Sequence, residues 1–154
     1  MSAVGVGDPA PDFTRQAHTG EMVTLGSYRG RSAVVLFFYP KDGTPVCTKE
    51  ACGFRDSHEA FAAAGAVVIG VSADSPESHR RFAAERGLPY LLLSDADGSL
   101  RSLFGVPKTM AVFPGRVTYV IDKGGIVRHI TNVQLSAGRH IDEALDTVKQ
   151  LVNQ

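Results

Sequence analysis

Apolar positions along this chain switch between two spacings. Every residue from Ala33 to Tyr39 is apolar or aromatic, and the run stops at Pro40, the pattern of a buried strand. From about Cys47 to Ala64, Ala51, Phe54, His58, Phe61 and Ala62 recur at helical spacing, and Gly65 supplies a stop. Ala66 to Ser72 then reads as a second buried strand. Ser75-Pro76 caps and starts a helix that runs to about Arg86 and ends at Gly87. Pro89 to Ser94 predicts a third strand, and Ser99 to Phe104 a short helix. Val117 to Asp122 and Ile126 to Thr131 flank Lys123-Gly124-Gly125, a hairpin with a glycine turn. A last helix over about Gly138 to Val152 places Ile141, Leu145, Val148 and Val152 on one face. Strands separated by helices, then a hairpin and a helix, predict a three-layer α/β domain with a mixed sheet.

The 154 residues suit one well-buried core and are few for two, so a single domain over 1–154 is expected, without linker, repeat or low-complexity segment. Sixteen basic and sixteen acidic side chains cancel, and neither sign clusters. A nucleic-acid groove and an anionic membrane surface both need clustered Lys and Arg, so neither partner is expected. The longest apolar run is far shorter than the ~18 residues of a membrane span. Met1 to Gly7 lacks a basic start followed by an apolar block, so it does not read as a signal peptide. A soluble, cytoplasmic protein is the expectation.

Several motifs can be set aside. Asp95-Ala96-Asp97-Gly98 resembles the start of a calcium loop, but no closing Glu follows at the required distance; it reads as a turn and helix cap. The five histidines are scattered. Cys47, Cys52 and His58 lack an evident fourth ligand and zinc-knuckle spacing, so no metal is expected. No glycine-rich phosphate loop or dinucleotide fingerprint is present, so no cofactor is expected. His58 falls on the apolar face of its helix and reads as a packed residue.

The chemistry that remains belongs to the two cysteines, Cys47 and Cys52. Cys47 follows a turn-rich loop and opens a helix, where unpaired N–H groups and the helix dipole favour a thiolate. In a reducing compartment the pair is not expected to be a structural staple. Two small buried hydrophobes remain the plain reading, and redox chemistry the sharper one. Thr44 is placed to donate a hydrogen bond, and Pro40 to narrow the approach to the sulfur.

Pro40-x-x-x-Thr44-x-x-Cys47 resembles the active-site signature of the peroxiredoxins. The fifteen-residue string from Phe38 to Cys52 is similar to the peroxiredoxin Q, or bacterioferritin comigratory protein, subgroup. Asp8-Pro9-Ala10-Pro11-Asp12-Phe13, Gly70-Val71-Ser72, Ser94-Asp95 and Val120-Ile121-Asp122 extend the likeness over nearly the whole chain. The resemblance implies a thioredoxin-like fold and a thiol peroxidase acting on hydrogen peroxide and organic hydroperoxides. By position, Cys47 becomes the peroxidatic cysteine and passes through a sulfenic acid. Thr44 would bond the thiolate and the peroxide. Arg116 would hold the thiolate and stabilise charge along the breaking O–O bond. Glu50 would orient that arginine, with a surface helix carboxylate as its competing reading.

Cys52 matches the resolving position and would form an intramolecular disulfide with Cys47. On an ideal helix five residues separate the Cα atoms by ~8.6 Å, whereas a disulfide tolerates at most about 7 Å. The helix must therefore open before the bond can form, and Gly53 is expected to ease the opening. An outside donor, thioredoxin or a glutaredoxin, would reduce the disulfide. The protein is expected to be a monomer or weak homodimer. Gly105 to Pro114 matches no motif closely; it could displace Arg116, form an apolar rim, or serve packing alone. Two other functions compete: thiol-disulfide exchange or redox sensing without peroxidase turnover, and a non-enzymatic metal-binding or holdase module. The first is disfavoured by four intervening residues where thioredoxin-type proteins have two, and the second has no positive feature.

Overall fold

The computed structural model of the chain describes residues 3–106, 108–109 and 113–152. Its strands are β1 (Thr14–Gln16), β2 (Met22–Thr24), β3 (Ala33–Phe38), β4 (Ala66–Ser72), β5 (Leu91–Ser94), β6 (Lys108–Thr109), β7 (Phe113–Pro114), β8 (Val117–Ile121) and β9 (Val127–Thr131). Its α-helices are α1 (Pro45–Asp56), α2 (His58–Ala63), α3 (Pro76–Arg86), α4 (Ser99–Phe104) and α5 (Ala137–Val152). Five strands form the central sheet in the order β5-β4-β3-β8-β9. β3 pairs parallel with β4 and antiparallel with β8; β4 pairs parallel with β5, and β8 antiparallel with β9. The expected mixed sheet is present, with a helix-bearing layer on each face.

β3 shows why its sequence is apolar at every position. Ala33, Val35, Phe37 and, just beyond the strand, Tyr39 face a core shared with Phe54, Phe61, Phe82, Ala144 and Val148. Val34, Leu36 and Phe38 face the opposite core with Leu100, Phe104, Val117 and Tyr119. A strand covered on both faces loses the polar half of its alternation. As the middle strand of the sheet, β3 delivers Pro40 to the site through its C-terminal end.

Most element boundaries agree with the sequence reading to within two residues. Ser75 caps α3 by accepting Ser78 N–H at 3.1 Å. Asp95 caps α4, accepting Leu100 N–H at 2.8 Å and Arg101 N–H at 3.0 Å, the role expected of that turn. The helix expected over 47–64 is two helices. It starts earlier, at Pro45, because proline suits a first helical position, and it breaks at Ser57, whose backbone leaves helical geometry (φ −98°, ψ 7°). The β1–β2 hairpin escaped the sequence reading, since three-residue strands are too short to show a period; a Thr14–Thr24 hydroxyl pair at 2.8 Å ties them. In the Gly105–Pro114 loop, residues 107 and 110–112 lie outside the described residues. No described helix is long and apolar enough to cross a membrane.

Candidate active site

The loop after β3 turns directly into α1, which puts Cys47 in that helix's first turn. Thr44 is the residue before the helix, in extended geometry, and its side chain makes no capping bond. Its hydroxyl instead donates to Lys41 O at 2.9 Å and closes the loop on itself. The first-turn N–H groups thus keep their preference for negative charge near Cys47. Cys47 itself is 1% exposed, and Pro40 and Thr44 are half-buried beside it in sequence.

Arg116 comes from just before β8, whose first residue, Val117, pairs with Phe38 at the end of β3. Its Nη2 donates to Cys47 Sγ at 3.2 Å, and its Nη1 donates to Glu50 Oε1 at 2.6 Å. Backbone and side chain are pinned as well: Arg116 N donates to Gln134 Oε1 at 2.8 Å and Nε to Gln134 O at 2.9 Å. Three bonds from the guanidinium and one from the backbone N–H leave it one orientation, and the preceding loop does not displace it. A fixed guanidinium against the sulfur places a charged hydrogen-bond donor at the position where an anion would be stabilised.

Glu50 lies one helical turn after Cys47 and is wholly buried rather than on the helix surface. Burial pushes its carboxyl up to about 7, against the charge and hydrogen bond of Arg116. Its second oxygen, Oε2, has no hydrogen-bond partner among the described residues. His140 Nδ1, on α5, lies 3.4 Å from it. His140 is also wholly buried, between Thr118 Oγ1 at 2.7 Å and Val133 O at 2.7 Å. Sequence reasoning passed over this histidine, although His140, Ala144 and Val148 repeat at a helical period on the buried side of α5.

Cys52 sits five residues on in the same unbroken helix, half-buried, and both cysteines are free. Gly53 beside it has a packing role that its helix propensity did not suggest. A Cβ there would lie 2.8 Å from Ile141 Cδ1, so glycine is what allows α1 and α5 to approach. His58 is half-buried at the start of α2, away from the guanidinium network.

A second polar cluster holds the loop from beneath. Asp42 accepts from Tyr39 Oη at 2.5 Å and Ser78 Oγ at 2.8 Å, and pairs with His79 Nδ1 at 2.8 Å. Asp42 N donates to Asp74 Oδ2 at 2.8 Å, which Ser72 Oγ also contacts at 2.6 Å. Burial alone would raise the Asp42 carboxyl, but the bonds from His79, Tyr39 and Ser78 and the His79 charge outweigh it, and the net direction is down. Among the described residues, Asp42, Asp74 and His79 are the group that comes together at metal-ligand spacing. Their ligand atoms are engaged with one another and with neighbouring hydroxyls and amides, which marks a clamp on the 40–44 loop.

A family model described as the AhpC/TSA family matches residues 6–130. The chain is 47% identical over 152 residues to the chloroplastic peroxiredoxin Q of Sedum lineare, covering 98% of this chain and 81% of that one. It is 50% identical over 150 residues to the chloroplastic peroxiredoxin Q of Arabidopsis thaliana, covering 97% and 69%. Among solved structures, peroxidoxin BcpB of Mycobacterium tuberculosis superposes with a TM-score of 0.88 at 37% identity, covering 96% of this chain and 98% of that one. Peroxiredoxin Q of Xanthomonas campestris gives 0.84 at 31% identity, with 91% of each chain covered. The chloroplastic location of these curated relatives overturns the cytoplasmic expectation. Balanced charge and the pattern of apolar positions report on surface and core, and they do not discriminate one aqueous compartment from another.

Proposed function

The chain belongs to the AhpC/TSA family as a thiol peroxidase of the peroxiredoxin Q kind, and from this footing we propose which residues carry the reaction and in what order. It is an atypical two-cysteine enzyme that takes a peroxide as substrate and a thioredoxin-type protein as reductant. Cys47, as the thiolate, attacks the distal oxygen of the peroxide; the S–O bond forms as the O–O bond breaks. The other oxygen leaves and takes up a proton to become water or an alcohol. Cys47 is then a sulfenic acid. Cys52 attacks its sulfur, water leaves, and a Cys47–Cys52 disulfide forms, which an external dithiol reduces by exchange.

The single observation that carries this assignment is the guanidinium of Arg116 at 3.2 Å from Cys47 Sγ, locked by Glu50 and Gln134. Such a donor stabilises the attacking anion and, across the same short distance, the charge that moves onto the departing oxygen. Thr44 is assigned to the peroxide's hydroxyl, releasing its bond to Lys41 O to do so. Pro40 shields the sulfur from bulk water, and Glu50 holds Arg116. Hydrogen peroxide and organic hydroperoxides are both proposed substrates. In support of the second, a structure of the Xanthomonas campestris bacterioferritin comigratory protein, 28% identical with a TM-score of 0.86, is described in terms of alkyl peroxide reduction. All these residues come from one chain, so the reaction requires no second copy, in keeping with a monomer or weak homodimer; thioredoxin and glutaredoxin both remain candidate reductants.

The test mixes reduced protein with hydrogen peroxide and with an alkyl hydroperoxide in wild type, Cys47→Ser and Cys52→Ser. Rapid oxidation that needs Cys47, with sulfenic acid accumulating in Cys52→Ser, is the expected result. Oxidation no faster than that of an ordinary free thiol would overturn the assignment.

A further inference from the structure

Beyond the cysteines and the arginine, the structure holds a buried pair that the reaction as written does not use. Glu50 on α1 and His140 on α5 face each other with Oε2 and Nδ1 3.4 Å apart. The proton inventory of this pair follows from its neighbours. Val133 O can only accept, so His140 Nε2, 2.7 Å away, carries a hydrogen in every state. The nitrogen that can gain or lose a proton is therefore Nδ1, which looks at Thr118 Oγ1 and at Glu50 Oε2. Without a proton between them, Nδ1 can still accept from the Thr118 hydroxyl at 2.7 Å, but Oε2 is a fully buried carboxylate oxygen with no hydrogen-bond partner among the described residues. With one proton between them, the charge on Oε2 is neutralised or faces a protonated Nδ1 at 3.4 Å.

We propose that Glu50 and His140 share a single proton, so that His140 acts as a positioning residue for the charge of Arg116. Like the assignment of Cys47 as the reacting thiolate, on which it rests, the proposal concerns the charge of the site. With the proton present, the pair is neutral overall whichever partner holds it, and Arg116 has the Cys47 thiolate as its one counter-anion. With the proton lost to solvent, Glu50 becomes a second anion on the same guanidinium, and the buried site carries an excess negative charge. The thiolate and the charge developing on the peroxide then receive a smaller share of the arginine. The upward displacement of the Glu50 carboxyl and the downward displacement of His140, both led by burial, are consistent with a proton residing on the carboxyl side.

Cys47 and Arg116 face Glu50 through the bonds already described, and Tyr90, whose hydroxyl donates to Ala51 O at 2.8 Å, lies on the same side. On the α5 side, Arg139 and Glu143 act on His140 with opposite signs and are bonded to each other at 2.8 Å. Glu143 is further engaged by His129 and Thr131. None of these is placed to supply Oε2 with a proton, which leaves Nδ1 as its partner.

The test follows the protonated-carboxyl stretch of Glu50 by infrared difference spectroscopy, identified by its loss in Glu50→Gln, together with the pH profile of the Cys47 oxidation rate. In wild type the band should titrate, and the rate should fall on the alkaline side with the same midpoint. His140→Gln keeps an amide donor for Val133 O while removing Nδ1, so a purely structural histidine would leave both midpoints in place. The expected result is a shift of both toward acid by about one pH unit, the worth of one hydrogen bond to the protonated form. An unmoved infrared midpoint, or an alkaline limb that survives in Glu50→Gln, overturns the proposal. If His140→Gln does not fold, the ¹⁵N resonance of Nδ1 in the wild type decides: it should titrate together with the carboxyl band, and independent titration would sink the idea. A wild type that oxidises slowly at every pH would instead contradict the assignment of Cys47, which keeps the two failures distinct.

Discussion

Oxidation should open the first half of α1, and the structure sets both the extent and the cost. Cys47 and Cys52 lie in one continuous helix, where their Cα atoms are ~8.6 Å apart by helix geometry; a disulfide needs about 7 Å or less. The opening has firm ends. Upstream, Asp42 is clamped to His79 and Asp74. Downstream, Phe54 is wholly buried and stacked on Phe37 with ring centroids 4.5 Å apart. Remodelling is therefore confined to roughly residues 43–53. It removes about six helical hydrogen bonds at ~1 kcal/mol each, as well as the Tyr90–Ala51 bond and the Glu50–Arg116 pair. The total, on the order of 5–10 kcal/mol, rivals the stability of a whole small domain, so the new covalent bond must offset it. Amide hydrogen exchange on the reduced and the peroxide-treated protein measures this directly. Amides of 48–53 should lose on the order of 10³-fold in protection, while those of β3 and α5 keep theirs. Equal protection at 48–53 in a sample whose Cys47–Cys52 disulfide is proved by mass spectrometry would refute the reasoning.

Three further outcomes follow from the same geometry. Arg116→Ala should slow Cys47 oxidation by about 10²–10³, and Arg116→Lys should recover only part of it, since one ammonium cannot serve Cys47 and Glu50 in the same fork; an unchanged rate would mean that another group stabilises the anion. Glu50 has a folded-state carboxyl raised to about 7 from 4.5, so the folded protein binds more protons than the unfolded one between those values. Its stabilising contribution is complete below the unfolded value and is lost as pH rises through the folded one, roughly 3 kcal/mol in all. Denaturant titrations across that interval should show this slope in wild type and its loss in Glu50→Gln. Gly53→Ala should gain about 1 kcal/mol of helix propensity but drive a methyl to 2.8 Å from Ile141 Cδ1, a strain of about 1–3 kcal/mol. A net fall in thermal stability, relieved by Ile141→Val, is expected; a more stable Gly53→Ala would show that the α1–α5 contact is loose.

Much of this protein is written in local sequence, because local signals report backbone choices. The all-apolar stretch of β3, the Ser75-Pro76 start of α3 and the Gly125 turn between β8 and β9, where φ is +82°, each depend on a few neighbouring residues. The spacing of Cys47 and Cys52 is of the same kind: a shared helix and its misfit to a disulfide follow from counting along one element. Other features depend on residues far apart in the chain, and spacing carries little record of them. Arg116 reaches Cys47 from 69 positions away because β8 pairs antiparallel with β3 in the sheet. Glu50 could equally have faced water until α5 covered that side of α1. Gly53 looked like a weak point in a helix and proved to be where two helices touch. His140 carried a faint helical signal, but its orphan neighbour Oε2, its fixed Nε2 proton and its distance from the thiolate exist only once α1, β8 and α5 are packed together. Burial and charge compensation are properties of that packed volume, and for that reason the sequence alone singles out Cys47 as the candidate sulfur while the tertiary structure decides what surrounds it.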